Sequence, residues 1–182
     1  MTRMQTRIRR RTGVLVTLVA ASTASAGSLA SLASLTACSS AGPIPGWDKA
    51  QDGGLRLVVP SGWDKTVPQS SLWSTRWTDP ADKSSVLMTA QSVSAADAYQ
   101  ALDLAMNAAR ASTRGYLPGA RTAITDGGTV VARQDYQTSW PYANRGATWA
   151  VSNGSRISLI DFSGESITDQ QLETAGRWIE LA

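Results

Sequence analysis

The chain has 182 residues, with no histidine, one cysteine and a formal net charge of +3 at pH 7. Five arginines and no acidic residue lie within residues 1–37, so the rest of the chain holds twelve basic and fourteen acidic residues and is mildly acidic. The apparent basicity therefore belongs to the N-terminal segment, and this distribution argues against nucleic acid as a partner.

Residues 1–37 have the order of an export signal, with a cationic start, an uncharged stretch and small residues at the end. Leu35, Thr36 and Ala37, followed by Cys38, resemble the bacterial lipobox. In that pathway the chain is cut before the cysteine and the thiol receives a diacylglyceryl group, which anchors a protein stably because two acyl chains are buried in the membrane. We therefore predict a lipoprotein signal peptide over residues 1–37 and lipidation of Cys38.

Two alternatives for this segment stay open. Residues 12–37 are uncharged and long enough to span a bilayer as a retained helix, although small and hydroxyl-bearing residues dominate them after residue 19. The thiol of Cys38 could instead be an inert buried group. The export route is also open, because the Arg9-Arg10-Arg11 run resembles a twin-arginine signal but lacks the aromatic residue that follows in such signals.

After the signal, residues 38–52 contain prolines and glycines without apolar periodicity, which predicts a flexible tether behind the lipidated cysteine. Residues 53–182 match the size of one domain and contain no second long apolar run. We therefore expect a single globular domain, lipid-anchored to the cell membrane on its extracytoplasmic side.

In the first half of this domain, three predicted strands precede a helix. Residues 55–60 are a short apolar run stopped by a proline, residues 72–78 alternate between apolar and polar side chains, and residues 85–93 give a third strand. From residue 95 to about 114, apolar residues recur at helical spacing, and Ser94 occupies the N-cap position.

The second half is predicted to contain more strands and a final helix. Residues 120–125 and 129–140 form two strands around a Gly-rich turn, and the Asn153-Gly154 pair between two apolar runs is a strong hairpin signal. Thr168 caps the last helix. This order predicts an α+β fold in which an antiparallel sheet of six or seven strands packs between two helices.

Two short motifs in the domain resemble the PsbP/Mog1-like superfamily: P-S-G-W at residues 60–63, after an apolar strand, and R-W-T-D-P at residues 76–80. More narrowly, the chain is similar to actinobacterial envelope lipoproteins and type VII secretion-associated proteins of that fold. The resemblance covers residues 53–182. It implies a three-layer α/β/α sandwich, usually noncatalytic, that binds a protein or an envelope lipid, and it carries over no site residue.

The residue types present argue against an enzyme. Without histidine, Ser-His-Asp and Cys-His catalytic groups cannot be assembled, and the commonest metal ligand is missing. No nucleophile elbow, P-loop or dinucleotide-binding glycine pattern occurs. The close carboxylate pairs Asp79/Asp82 and Asp48/Asp52 lie in turn or tether sequence, where solvated charge is the expected role. We therefore predict no catalytic residue, no metal site and no cofactor.

Seven tryptophans accompany a single phenylalanine, and most of them are expected to fill the core. Those beside glycine or proline are the best candidates for exposure, and tryptophan is enriched at binding hot spots. Trp47 is one such residue. The predicted binding surface consists of Trp63, Trp140, Tyr142 and Arg145.

Other tryptophans could line an internal pocket instead, namely Trp73, Trp77 and Trp149. Two functions therefore stay open. The first is a lipid-anchored binding or scaffold protein of the cell envelope, and the second is a carrier of a lipid or a small apolar ligand. An exposed patch favours the first, and an enclosed apolar pocket favours the second.

Overall fold

A seven-stranded and a three-stranded sheet, together with two helices, form the part of the chain that the structure describes, residues 44–181 of a computed structural model. The elements are, in chain order, β1 (Trp47–Asp52), β2 (Leu55–Pro60), β3 (Asp64–Thr66), β4 (Thr75–Thr78), β5 (Val86–Ala90), α1 (Ala98–Ser112), β6 (Leu117–Asp126), β7 (Thr129–Gln137), β8 (Arg145–Ser152), β9 (Ile157–Gly164), α2 (Asp169–Arg177) and β10 (Glu180–Leu181).

Neighbouring strands pair antiparallel throughout the described residues. The strand order is β3-β4-β5-β9-β8-β7-β6 in the large sheet and β1-β2-β10 in the small one. The predicted α+β fold is confirmed, with seven strands in the central sheet. The small sheet was not among the expectations, because β1 and β10 carry little apolar patterning of their own.

The large sheet is buried on both faces because successive side chains of a strand point to opposite sides. On one face, Trp149 and Phe162 of the central strands pack with α2 and the small sheet. On the other face, Ala150 and Leu159 pack under α1. Three layers result, with the large sheet in the middle.

Side-chain caps fix where the helices begin. Thr168 Oγ1 accepts from the backbone N–H of Gln171, whose side chain accepts in return from the Thr168 backbone, so the predicted cap of α2 is confirmed as a capping box. Helix α1 is instead capped by Asp97, which accepts from Gln100 N, three residues after the predicted Ser94. Neither helix is long and apolar enough to cross a bilayer.

The predicted β8–β9 hairpin is present, but its loop is longer than the two residues expected. Strand β8 ends at Ser152 and β9 begins at Ile157. Asn153 Oδ1 accepts from the backbone N–H groups of Ser155 and Arg156, and Gly154 alone has a positive φ, of 83°. The asparagine side chain therefore closes a four-residue loop in place of a tight turn.

Strand β1 corrects the predicted boundary of the tether. Residues 47–52, expected to be flexible, pair along their whole length with β2. Trp47 and Ala50 pack against the core beneath them, which supplies the apolar contact that the local sequence pattern did not reveal. The predicted signal peptide, the lipobox residues Leu35, Thr36 and Ala37, and the lipidation site Cys38 lie outside the described residues.

Candidate functional site

A cleft of about 860 Å³ opens on the α1 face of the large sheet. Its floor is formed by β4, β5, β8 and β9, and α1 forms one wall with the small side chains of Ala105, Ala108 and Ala109. Residues 66–73, from the end of β3 into the segment that follows it, form the opposite wall, and the β7–β8 loop, residues 138–144, contributes to the rim. The volume lies within the range of ligand-binding clefts.

One register row of the sheet supplies the polar part of the floor. Directly paired residues on neighbouring strands share a face, so a row of such pairs places side chains side by side across the sheet. The row runs across six strands, in the order Arg76, Met88, Asp161, Thr148, Gln134 and Arg121.

Helix α1 covers only one end of this row. There Arg121 forms an ion pair with Asp103 of α1 at 2.8 Å and donates from Nε to Gln134 Oε1 at 2.9 Å. The other end, from Thr148 to Arg76, lines the cleft. The cleft therefore exists because α1 packs on β7, β8 and β9 and leaves β4 and the part of β5 around Met88 to line the open space on this face.

Asp161 is the central polar group of the floor. Its side chain is buried, with 5% of the residue exposed. The Tyr136 hydroxyl lies 3.0 Å from each carboxylate oxygen and donates to the group, and Thr148 Oγ1 donates to Oδ1 at 2.7 Å. Tyr136 also stacks on Tyr116, with ring centroids 5.3 Å apart, so the donor is held in place from behind.

Burial raises the pKa of Asp161 to about 6, although hydrogen bonds from Thr148, Tyr136 and Ser163 oppose this shift. Burial, followed by the negative charge of Asp161, raises the pKa of Tyr136 well above its usual value. Tyr136 therefore stays protonated and remains a donor at neutral pH.

This arrangement has the chemistry of a hydrogen-bonding floor. The hydroxyls of Tyr136 and Thr148 both donate to the Asp161 carboxylate and so fix its position on the floor of the cleft. Within residues 44–181, no three acidic, histidine or cysteine side chains lie close enough to bind a metal ion together.

The structure does not bring the three predicted pocket tryptophans together. Trp77 and Trp149 are buried in the core on the α2 face, and Gly176 of α2 lies so close that an added Cβ would stand 2.8 Å from Trp149 Nε1. Trp73 instead lines the cleft on the α1 face. Its backbone N–H donates to Ser70 Oγ in a loop that precedes β4, so Trp73 leaves the strand alternation that Trp77 follows.

The predicted binding surface is also divided. Trp140 and Tyr142 are 53% and 42% exposed on the β7–β8 loop, and Tyr142 lines the rim of the cleft. Trp63 packs against the core, with its ring centroid 5.7 Å from that of Phe162. Arg145 forms an ion pair with Asp169 and lines a separate, smaller cavity beside α2.

Trp47, expected to be exposed, is half-buried with its ring edge-on to Phe162 at 6.0 Å. Sequence reasoning missed Arg76, Tyr136 and Asp161 as site residues. The signal available for Asp161 was an acidic residue inside the apolar run of β9, because an unpaired buried carboxylate is unfavourable and requires hydrogen-bonding partners elsewhere in the chain.

No family model matches the chain, and no curated protein matches it in sequence. Among solved structures, it is similar to cyanobacterial PsbP (CyanoP) from Synechocystis sp. PCC 6803, with a TM-score of 0.61 and 15% identity over 81% of this chain and 99% of that chain. The Ran-binding protein Mog1p of Saccharomyces cerevisiae gives a TM-score of 0.46 and 10% identity over 74% of this chain and 95% of that chain. The likeness to CyanoP shows a PsbP-like fold, as the resemblance in sequence predicted.

Proposed function

We propose that this chain is a lipid-anchored binding protein of the cell envelope, that it is noncatalytic, and that its ligand or partner occupies the cleft beside α1. The observation that carries the proposal is the cleft itself. It combines a polar floor around Asp161 with an aromatic rim that includes Trp73 and Tyr142. Aromatic side chains at the edge of a concave site are typical of binding surfaces.

A short connection to the anchor supports the proposed location. Trp47, the first residue of β1, follows Cys38 by nine residues. Nine residues span at most about 30 Å when fully extended. Lipidation of Cys38 would therefore hold β1, and the domain with it, close to the bilayer surface.

A carrier of a small apolar ligand is the second candidate. Leu72, Trp73, Val86 and Met88 give the cleft an apolar portion, which favours this function. Two of the three tryptophans expected to line an enclosed pocket are in the core, and the cleft is open to solvent with polar groups on its floor. These features favour a binding protein with an accessible site over a carrier with a closed one.

Replacing Cys38 with serine is expected to abolish membrane attachment, because serine lacks the thiolate that accepts the diacylglyceryl group. Mass spectrometry of detergent-extracted protein should show an acylated mature chain for the native protein and none for Cys38→Ser. The variant should also leave the membrane fraction. Ser39→Ala is the matched control and should stay acylated, whereas a native chain with a free thiol in the soluble fraction would refute the anchor.

Photo-crosslinking in cells tests the cleft. With p-benzoylphenylalanine at Tyr142, on the cleft rim, we expect discrete crosslinked adducts after irradiation. The same residue at Ile124, which is 70% exposed on the distant β6–β7 hairpin, should give none. A protein adduct would indicate the scaffold function and a small-molecule adduct the carrier function, and equal or absent labelling at both positions would contradict the cleft as the site.

A further inference from the structure

We propose that the cleft binds an amphipathic anion, with the anionic group at Arg76 and Lys83 and the apolar chain along the wall formed by residues 72–73 and α1. The inference rests on the proposed function of the cleft and deepens it, because it names the chemical class of the ligand. The inference rests on the cations and the apolar side chains that line the cleft around Arg76 and Met88, at the end of the register row that α1 does not cover.

Arg76 is a cation on the cleft floor without an acidic partner. Its Nε donates to Thr78 Oγ1 at 3.1 Å, which orients the guanidinium along β4. Within residues 44–181, no carboxylate forms an ion pair with it, whereas Arg121 and Arg145 each pair with one carboxylate and Arg133 pairs with two. A guanidinium held by a hydroxyl and lacking a carboxylate is suited to bind a carboxylate or phosphate ligand in bidentate fashion.

Lys83 adds a second positive charge to the lining of the cleft. It also forms no ion pair among the described residues. The adjacent acid, Asp82, accepts from the hydroxyls of Ser84 and Ser85, each at 2.6 Å, and of Ser166 at 3.2 Å, and forms no ion pair with Lys83. Arg76 and Lys83 thus give the lining of the cleft two cations without a carboxylate partner among the described residues.

Apolar side chains lie next to these cations. Val86 and Met88 of β5 line the floor beside Arg76, and Leu72 and Trp73 line the wall. The alanines of α1 complete a surface without charge along the helix side. A ligand that consists of a charged group alone would leave this apolar surface exposed to water. A hydrocarbon chain attached to the charged group would cover the surface, and the burial of apolar area would strengthen binding.

Asp161 does not prevent an anion from binding at Arg76. The two residues are separated by the strand that carries Met88, and two strand spacings are about 10 Å. The hydroxyls of Tyr136 and Thr148 donate to the carboxylate and stabilise its charge on its own side of β5. An anionic head at the Arg76 end thus meets the cations first, and Asp161 marks the far end of the site.

The test uses the full chain in phosphatidylcholine nanodiscs, with a diazirine-bearing dodecanoate as the probe and mass spectrometry to locate the label. We expect labelling on residues 72–88 and on α1, competed by dodecanoate and much less by dodecyltrimethylammonium or inorganic phosphate. Because Arg76→Gln removes the charged hydrogen bonds to the anionic group, it should reduce labelling about tenfold or more at subsaturating probe.

Arg76→Lys keeps the charge but loses the bidentate geometry, so it should reduce labelling less than Arg76→Gln does, and Lys83→Gln should also reduce it. Arg114→Gln is the matched control, since Arg114 stacks on Trp140 away from the cleft floor and should label as the native chain does. Labelling unaffected by Arg76→Gln, equal competition by the trimethylammonium compound or by inorganic phosphate, or label outside the cleft would each overturn the proposal. Adducts at Tyr142 in cells without any dodecanoate labelling would refute this inference and leave the proposed function standing.

Discussion

Phe162→Ala is expected to lower the free energy of unfolding by about 3–5 kcal/mol, the range for truncating a large aromatic side chain in a core. Phe162 is fully buried on β9, the central strand of the large sheet. The rings of Trp47 and Trp63 contact it edge-on, with centroids 6.0 and 5.7 Å away. The truncation therefore leaves a cavity between the large sheet and the segments that carry these two tryptophans.

Urea denaturation followed by tryptophan fluorescence measures this effect. Because domains have a total stability of about 5–15 kcal/mol, a loss of this size removes a large part of it. Ile124→Ala is the matched control, since Ile124 is exposed and its truncation should change stability by no more than about 0.5 kcal/mol. Similar midpoints for Phe162→Ala and the native chain would contradict the packing described for this core.

The second large effect is a decrease in stability as the pH rises through the titration range of Asp161. Its pKa is about 6 in the folded chain against 3.8 for an unperturbed aspartate, so between these values the folded state holds a proton that the unfolded state has lost. Its stabilising contribution is fully present below pH 3.8 and is lost as the pH rises through about 6. The difference between the two pKa values corresponds to about 3 kcal/mol.

Asp161→Asn isolates this contribution, because the amide is similar in shape and does not titrate. The stability difference between the native chain and Asp161→Asn should change by about 3 kcal/mol from pH 3.8 to above pH 6 and then level off. A pH-independent difference between the native chain and Asp161→Asn would contradict the raised pKa of the Asp161 carboxyl.

Asp82 changes stability in the opposite direction and at lower pH. Hydrogen bonds, first from the Ser84 hydroxyl, lower its pKa to about 2, so its contribution to stability is lost as the pH falls through that value.

Much of the fold is predictable from local sequence because its signals are local. The capping of α2 by Thr168 and the β8–β9 hairpin at Asn153-Gly154 depend on residues within a few positions of each other. Strand β1 is not predictable in the same way. Its sequence, WDKAQD, has no clear alternation, and it is held in place by pairing with β2 and by the core below it.

The site is assembled by contacts between distant parts of the chain, which no local pattern contains. Asp161 meets Tyr136 and Thr148, which are 25 and 13 residues away, through the register of three strands. The alternation in residues 72–78 predicts one face for Trp73 and Trp77, but β4 begins only at Thr75. Trp73 therefore lies in a loop, where strand periodicity no longer determines the direction of a side chain.

The outermost strand of the large sheet has a consequence for neighbouring copies of the chain. Strand β6 is ten residues long and exposed along its length, and its outer side has no strand partner within residues 44–181. Pro118 has no N–H group, and the register shift between Pro118 and Arg121 interrupts the regular hydrogen-bonding pattern. At the opposite end of the sheet, β3 has only three residues. Both borders thus disfavour strand-to-strand aggregation between copies of the chain.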